Sequence, residues 1–363
     1  MNSVQQSTNI HETIGDLITR DKAFAVAVVL KAEGSTPGKF GWKAVVESDG
    51  RIWGTLGGGA AEAGVQRRAV EAIAASRAGV FDFAFHGESV QGGIPICGGA
   101  MRILVAPVAV ETRAVYVEAG LACRRRQRGV LLTAVHHAPT LRVEMRWFTK
   151  EAIPTGPEFP GAENIRSCLA REMPRVFVRE ASPGEVPVEV LVEPLIPPPR
   201  LLIVGGGHVG QAVARQASLL GFDITVIDDR PEFTRSDLYP TEATVRCGDF
   251  AREVAAFPTD SDTYVVLVTR GPQHDAAALA ACLLKPAAYI GMIGSRRKVA
   301  LMRQDFLASG AVTAEAFDGV FAPIGLDIGA VTPAEIAASI LAEVIAVRRK
   351  ADGAFLPLRR SVG

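Results

Sequence analysis

Gly205, Gly207 and Gly210 stand in the spacing G-x-G-x-x-G between an apolar run at 201–204 and a helical pattern at 211–220, and no other stretch restricts the fold so tightly. The first glycine permits a tight turn, the second lets a pyrophosphate approach the backbone, and the third lets the helix pack close to the strand. A second apolar run at 223–227 ends in Asp228, placed where an acid accepts from a ribose hydroxyl. His208 sits inside the loop, facing either a phosphate or solvent. Strand patterns at 243–247, 264–269 and 288–293 alternate with helical patterns near 275–284, 296–309 and 333–350. The last helix opens with Thr332, Pro333 and Glu335, a capping box with proline at the first helical position. Alternating strands and helices predict an α/β fold: a Rossmann-type, doubly wound parallel sheet.

That unit cannot fill the chain. The 363 residues exceed the roughly 250–300 at which a single core stops growing. Pro187, Pro194, Pro197, Pro198 and Pro199 stiffen the stretch ahead of the apolar run, so the boundary is expected near 198. The expected domains are 1–197, with a motif-bearing core at 1–106, then 198–350 and a tail at 351–363. The first domain reads as mixed α/β. Helices are expected near 10–20 and 60–77, and strands near 23–31, 43–47, 51–54, 80–86 and 101–106. After a helix beginning near 113, strands follow at 130–135 and 141–148, and the alternation Val186, Val188, Val190, Val192 closes the domain.

Charge and cysteine usage exclude several classes. Thirty-nine basic residues balance thirty-nine acidic ones, and the regions 1–105, 106–199 and 200–363 come out at 0, +1 and −1. No nucleic acid or acidic membrane surface is expected as partner. The five cysteines are odd in number and show no C-x-x-C spacing, which argues against a disulfide framework or structural zinc. The N-terminus lacks a charged-then-apolar leader, and the run at 23–30 is too short to span a bilayer, so the expected location is cytoplasmic.

Three further clusters carry candidate chemistry. The run YIGMIGSRRK places Gly291 and Gly294 before Ser295, Arg296, Arg297 and Lys298, a glycine turn leading to a hydroxyl and cations at a helix start. Cations there oppose the helix dipole, which favours an anionic partner. GSTPGKFG, with Ser35, Thr36 and, just beyond, Lys43, and TLGGG, with Thr55, Gly57, Gly58, Gly59 and Glu62 beyond, offer donors to a phosphate or pterin. GGIPICGG holds Cys97 among small neighbours, where metal ligation or persulfide chemistry and plain packing stand level; the other four cysteines read as inert. His136 and His137 cannot share one strand face and read as structural, and Arg124, Arg125, Arg126 and Arg128 read as a solvated helix end. Neither a Walker A sequence nor Tyr-x-x-x-Lys is present.

Together, GSTPGKFGWKAVV, TLGGGAAE and ICGG in the first half, with LLIVGGGHVGQAVA, TVIDDRPEF, YIGMIGSRRK and PIGLDIGAVTPAEIAASILAEVIA in the second, resemble the xanthine dehydrogenase accessory factor family of XdhC/CoxI type. The resemblance implies an accessory domain followed by a Rossmann domain. It also implies binding of the molybdenum cofactor, as molybdopterin or its dinucleotide, help with its sulfuration alongside a cysteine desulfurase, and delivery to a xanthine dehydrogenase-like molybdenum hydroxylase apoenzyme. A homodimer is a further expectation. The matching positions are Gly34, Ser35, Thr36, Pro37, Gly57, Gly58, Gly59, Glu62, Cys97, Gly98 and Gly99 in the first half. In the second they are Gly205, Gly207, His208, Gly210, Asp228, Asp229, Arg230, Gly294, Ser295, Arg296, Arg297 and Lys298. Cys97 is the candidate for sulfur handling or a molybdenum contact. The chain departs from the pattern at Gly38 and Lys39, where relatives often carry Arg, and at Ala61, where they carry a bulkier residue. The residues also admit an NAD-dependent oxidoreductase, with Asp228 preferring an unphosphorylated ribose, or a pure docking protein.

Overall fold

Seven consecutive buried positions at the start of one antiparallel strand, 24–30, arise because its two faces serve two different cores. A computed structural model describes residues 10–85, 98–137, 139–157, 159–179, 186–310 and 312–349, so Cys97 and the tail 351–363 lie outside the described residues. The chain forms two compact units, Met1–Pro197 and Pro198–Gly363.

In the first unit, α1 (Ile10–Thr19) precedes β1 (Phe24–Glu33), β2 (Lys43–Glu47), β3 (Ile52–Gly54), α2 (Gly59–Ala75), β4 (Gly79–Phe85) and β5 (Gly99–Pro107). The strands make an antiparallel sheet ordered β3-β2-β1-β5-β4. Then follow α3 (Val110–Arg124), β6 (Gly129–His136), β7 (Arg142–Thr149), α4 (Ala162–Arg171), β8 (Arg175–Arg179) and β9 (Val188–Leu195), whose strands form a second antiparallel sheet, β7-β6-β9-β8. Successive strand side chains point to opposite faces. Ala25, Ala27 and Val29 therefore pack against Val65, Ala69 and Ala72 of α2. Phe24 and Val26 meet Ile14 and Leu17 of α1, Tyr116 and Ala119 of α3, and Leu131 and Trp147 of the second sheet. One core thus spans both sheets. Lys43 of β2 and Glu193 of β9 pair at 2.8 Å across it, their side chains only 7% and 10% exposed. Sequence patterning did not anticipate α4 or β8, because α4 buries only Ile165, Cys168 and Leu169.

In the second unit the elements are β10 (Arg200–Val204), α5 (His208–Ser218), β11 (Asp223–Asp228), β12 (Thr244–Cys247), α6 (Phe250–Ala256), β13 (Thr263–Leu267), α7 (Pro272–Leu283), β14 (Tyr289–Met292), α8 (Arg296–Ala308), α9 (Ala314–Asp318) and α10 (Pro333–Arg348). All strand pairs are parallel, in the order β12-β11-β10-β13-β14, and Phe321 adds an isolated parallel bridge beside Gly291. Both faces are covered. Leu201 and Ile203 pack with Val213 and Ala217 of α5 and Ile340 and Val344 of α10. Leu202 and Val204 pack with Val254 of α6, Leu279 of α7 and Phe306 of α8. This is the doubly wound sheet expected from the alternating pattern. Thr332 and Glu335 form the capping box reciprocally at the start of α10. Among the described residues, no helix is long and apolar enough to cross a membrane.

Candidate functional site

Strand order reverses between β10 and β13, one branch running to β11 and β12 and the other to β14. Ligands of such sheets lie in the crevice at the carboxyl ends of the two strands flanking that reversal. Gly205, with φ +113°, begins the loop there, and an added Cβ would overlap the Val268 carbonyl beyond β13. A Cβ on Gly210 would overlap the Gly205 carbonyl, so this glycine brings α5 onto the loop. Gly207 differs: nothing lies within 4 Å of its added Cβ, and it is the N-cap of α5 with no side-chain cap. Gly271, the N-cap of α7 after β13, also lacks a side-chain cap. By contrast Asp249, Ser295, Thr313 and Thr332 cap α6, α8, α9 and α10 with side-chain oxygens. The two helices that follow the central strands thus leave their first backbone N–H groups for an acceptor that no side chain supplies. His208, the first residue of α5, is exposed.

Asp228 occupies the end of β11 but is fully buried. Its Oδ2 accepts from the Gly206 N–H at 2.7 Å, and both oxygens accept the Arg230 fork, from Nε at 2.9 Å and Nη2 at 3.0 Å. The Arg230 N–H donates to Oδ1 at 3.0 Å. Burial pushes the Asp228 carboxyl up, but the Arg230 fork and the two backbone donors outweigh it and hold it below the usual carboxylate range. Arg230 also lies over the Phe233 ring, 3.8 Å from its centroid. The Tyr239 hydroxyl sits 2.6 Å from the Phe233 carbonyl and 3.1 Å from that of Gly206, and burial together with the Asp228 charge pushes it up to about 12. The acid expected to meet a ribose instead braces the glycine loop from beneath.

The opposite wall carries residues that the sequence reading did not single out. The Thr269 hydroxyl donates to the fully buried Asp275 at 2.6 Å, and Asp275 pairs with Lys298. Lys298, expected to face an anion, is therefore engaged within the fold, and Ser295 caps α8 by accepting from the Lys298 N–H at 3.2 Å. Arg296 and Arg297 are exposed on the first turn of α8. Arg270 reaches from beyond β13 to Asp229 beyond β11 at 2.8 Å. Thr269 and Arg270 had one signal in the sequence: the strand ending at them had to lie beside β10 if the sheet was doubly wound.

In the first unit the glycine loops converge. A Cβ on Gly34 (φ +71°) would stand 2.9 Å from the Gly98 carbonyl, one on Gly99 would overlap Ser35, and one on Gly57 would overlap Pro37. Ser35 is exposed, and the Thr36 hydroxyl donates to the Gly38 carbonyl at 2.8 Å. Gly58 and Gly59, both at positive φ, have open space around an added Cβ. One oxygen of Glu62 accepts from the Thr55 hydroxyl at 2.8 Å and from the N–H groups of Leu56 at 2.8 Å and Gly58 at 3.2 Å. Glu62→Gln removes the charge that gathers these donors and is expected to cost about 1–2 kcal/mol in thermal or denaturant unfolding. An unchanged melt would remove Glu62 as the anchor of this loop.

The described cysteines divide. Burial pushes the thiols of Cys123, Cys168 and Cys282 up, Cys282 to about 12, which suits inert groups. Cys247 differs from these three in being exposed, on the edge strand β12. Among the described residues no group of three or more His, Cys, Asp or Glu is placed to hold a metal ion.

Comparison with known proteins bears on the whole arrangement. The chain is 38% identical over 159 residues to the uncharacterized protein YqeB of Escherichia coli (strain K12), covering 44% of this chain and 29% of that one. It is 25% identical over 352 residues to a probable xanthine dehydrogenase component of Bacillus subtilis (strain 168), covering 94% of this chain and 98% of that one. A solved structure of a xanthine dehydrogenase from Bacillus halodurans shares the fold, with a TM-score of 0.74 and 22% identity over 96% of this chain and 98% of that one. Residues 201–344 match the XdhC Rossmann domain, and residues 17–84 match the XdhC and CoxI family. With both of its units matched by that one family, the chain belongs to the XdhC and CoxI family of xanthine dehydrogenase accessory factors.

Proposed function

We propose that this accessory factor binds the molybdenum cofactor through its phosphate, or the pyrophosphate of its dinucleotide form, and delivers it to a xanthine dehydrogenase-like molybdenum hydroxylase. A cysteine desulfurase would act alongside it, and the working form would be a homodimer. The observation that carries this reading is the uncapped start of α5, with open space at Gly207, at the point where strand order reverses. The donor set fits such a group: backbone N–H groups of a glycine loop, the positive end of a helix and no acid in the first turn of α5. Gly205 and Gly210 shape the loop, Gly207 leaves room for the phosphate, and Asp228 fixes the loop from below. Arg296 and Arg297 add positive charge at the other branch of the crevice. The bound group supplies a dithiolene-held molybdenum centre for the client enzyme, and Cys97 is the residue proposed to handle sulfur or contact the metal.

The test is anaerobic incubation of the purified protein with molybdenum cofactor, with bound molybdenum and pterin quantified beside a nicotinamide titration. Saturable binding of both metal and pterin, weakened at least about tenfold in Gly207→Ala, is the expected result. Metal at background level would overturn the proposal, and saturable NADH binding with turnover would assign the crevice to an oxidoreductase instead. Cys97→Ala should lower cofactor retention or target activation without changing the melt, and unaltered activation removes Cys97 from the site.

A further inference from the structure

We propose that Asp229 and Arg270 form the reader of this crevice, Asp229 taking the vicinal hydroxyls of a ribonucleoside diphosphate and Arg270 its diphosphate; the inference rests on the nucleotide reading above. Asp229 is the first residue beyond β11, and Arg270 lies in the segment following β13, with β10 between those two strands. Neighbouring strands run roughly 4.8 Å apart, so a link between the two residues spans about 10 Å over the carboxyl end of β10. That is where Gly205 and Gly207 stand, and a dinucleotide in a doubly wound sheet lies across the same three strand ends. Arg270 Nη2 donates to Asp229 Oδ2 at 2.8 Å, closing that span with one ion pair.

Three observations separate this pair from a plain surface salt bridge. Asp228, the acid at the strand end, accepts from Arg230 and Gly206 with both oxygens and has no capacity turned toward a sugar. Asp229 Oδ1 is buried yet accepts no hydrogen bond, its nearest cation being Arg230 Nε at 3.8 Å. A carboxylate oxygen taken out of water without a donor is costly, and a sugar hydroxyl is a donor of the right kind. Finally, the Arg270 side chain is 47% exposed, so its bond to Asp229 is a weak, solvent-screened one. A diphosphate at the glycine loop carries more charge than one carboxylate and matches the guanidinium fork.

Binding then exchanges partners. Arg270 swings from Asp229 Oδ2 onto the diphosphate, and both Asp229 oxygens become acceptors for the 2′ and 3′ hydroxyls. A ligand with a phosphate on its 2′ oxygen is repelled by Asp229, and one without the 2′ hydroxyl leaves an acceptor empty. The chemistry read is the diol and diphosphate; the base is left to other contacts.

The experiment is calorimetric titration of the full chain with ADP, CDP and GDP, then with the 2′-deoxy form of whichever binds most tightly, and with inorganic pyrophosphate. The wild type should prefer the ribose form by about tenfold or more. Asp229→Asn should reduce that preference to within about twofold while leaving pyrophosphate bound at least as tightly as in the wild type, because Arg270 is released, and Arg270→Gln should weaken pyrophosphate about tenfold. Should Asp229→Asn melt early, the Arg270→Gln titration decides alone. A ribose preference that survives Asp229→Asn, or pyrophosphate affinity indifferent to Arg270→Gln, overturns this inference while leaving the nucleotide reading standing. Absence of any nucleotide binding by the wild type overturns this inference together with the dinucleotide form of the reading above.

Discussion

Gly210→Ala should cost the second unit about 2–3 kcal/mol, whereas Gly207→Ala, three residues earlier in the same loop, should leave stability within about 0.5 kcal/mol. An alanine normally gains on glycine inside a helix, by roughly 0.5–1 kcal/mol. At Gly210 that gain is outweighed because the added methyl overlaps the Gly205 carbonyl, a backbone atom with nowhere to retreat. Gly207 has φ −65°, which alanine adopts freely, and no atom within 4 Å of an added Cβ. Its methyl fills only the space proposed for a phosphate. Gly205→Ala belongs with Gly210, since its φ of +113° and its overlap with Val268 penalise the fold before any ligand is involved. Calorimetric melts of the three variants, set beside cofactor titrations, check the contrast. A Gly207 variant that unfolds as early as the Gly210 variant would mean that the loop is packed where the structure leaves it open.

The second large effect is expected at Asp228. Asp228→Asn keeps the shape but removes the charge that holds the Arg230 fork, and breaking a buried pair of this kind costs about 3–5 kcal/mol. The effect has a pH signature. Because its folded carboxyl lies below the usual carboxylate range, Asp228 contributes stability that is fully present above its unfolded value of about 3.9 and is lost as pH falls through the folded one. The stability gap between wild type and Asp228→Asn should therefore be flat from about pH 5 to 8 and should close progressively below about pH 4. Denaturant titrations at a series of pH values measure it. A gap that persists undiminished into strong acid, or that opens only near neutrality, would show that the carboxylate does not brace the loop.

Which parts of this arrangement were legible beforehand follows from how local their causes are. The turn from β10 into α5 could be read because each glycine answers a steric demand within a few residues, and the capping box at Thr332 is equally local. The role of Asp228 was not legible. Arg230 stands two residues further on, and whether its fork reaches outward or folds back depends on a rotamer chosen by Phe233, Tyr239 and Gly206. Thr269 and Asp275 escaped for another reason: they enter the crevice only through the pairing of β13 with β10, about sixty residues apart in the chain. In the first half, α4 and β8 gave weak signals because each buries few side chains.

The ion pair between Lys43 and Glu193 bears on how the first unit is inherited. The family motif recognised in it lies within 17–84, yet Lys43, inside that stretch, neutralises its charge on a strand more than a hundred residues later. Cutting the chain after 106 would remove the partner of the Lys43 ammonium and open to water the faces of Phe24 and Val26 that Tyr116, Leu131 and Trp147 now cover. The stretch without motifs is thus the cover on the stretch that has them, and the two share one core. A recombination or gene-fusion event that respects this fold must carry the first 197 residues as a single exchangeable piece.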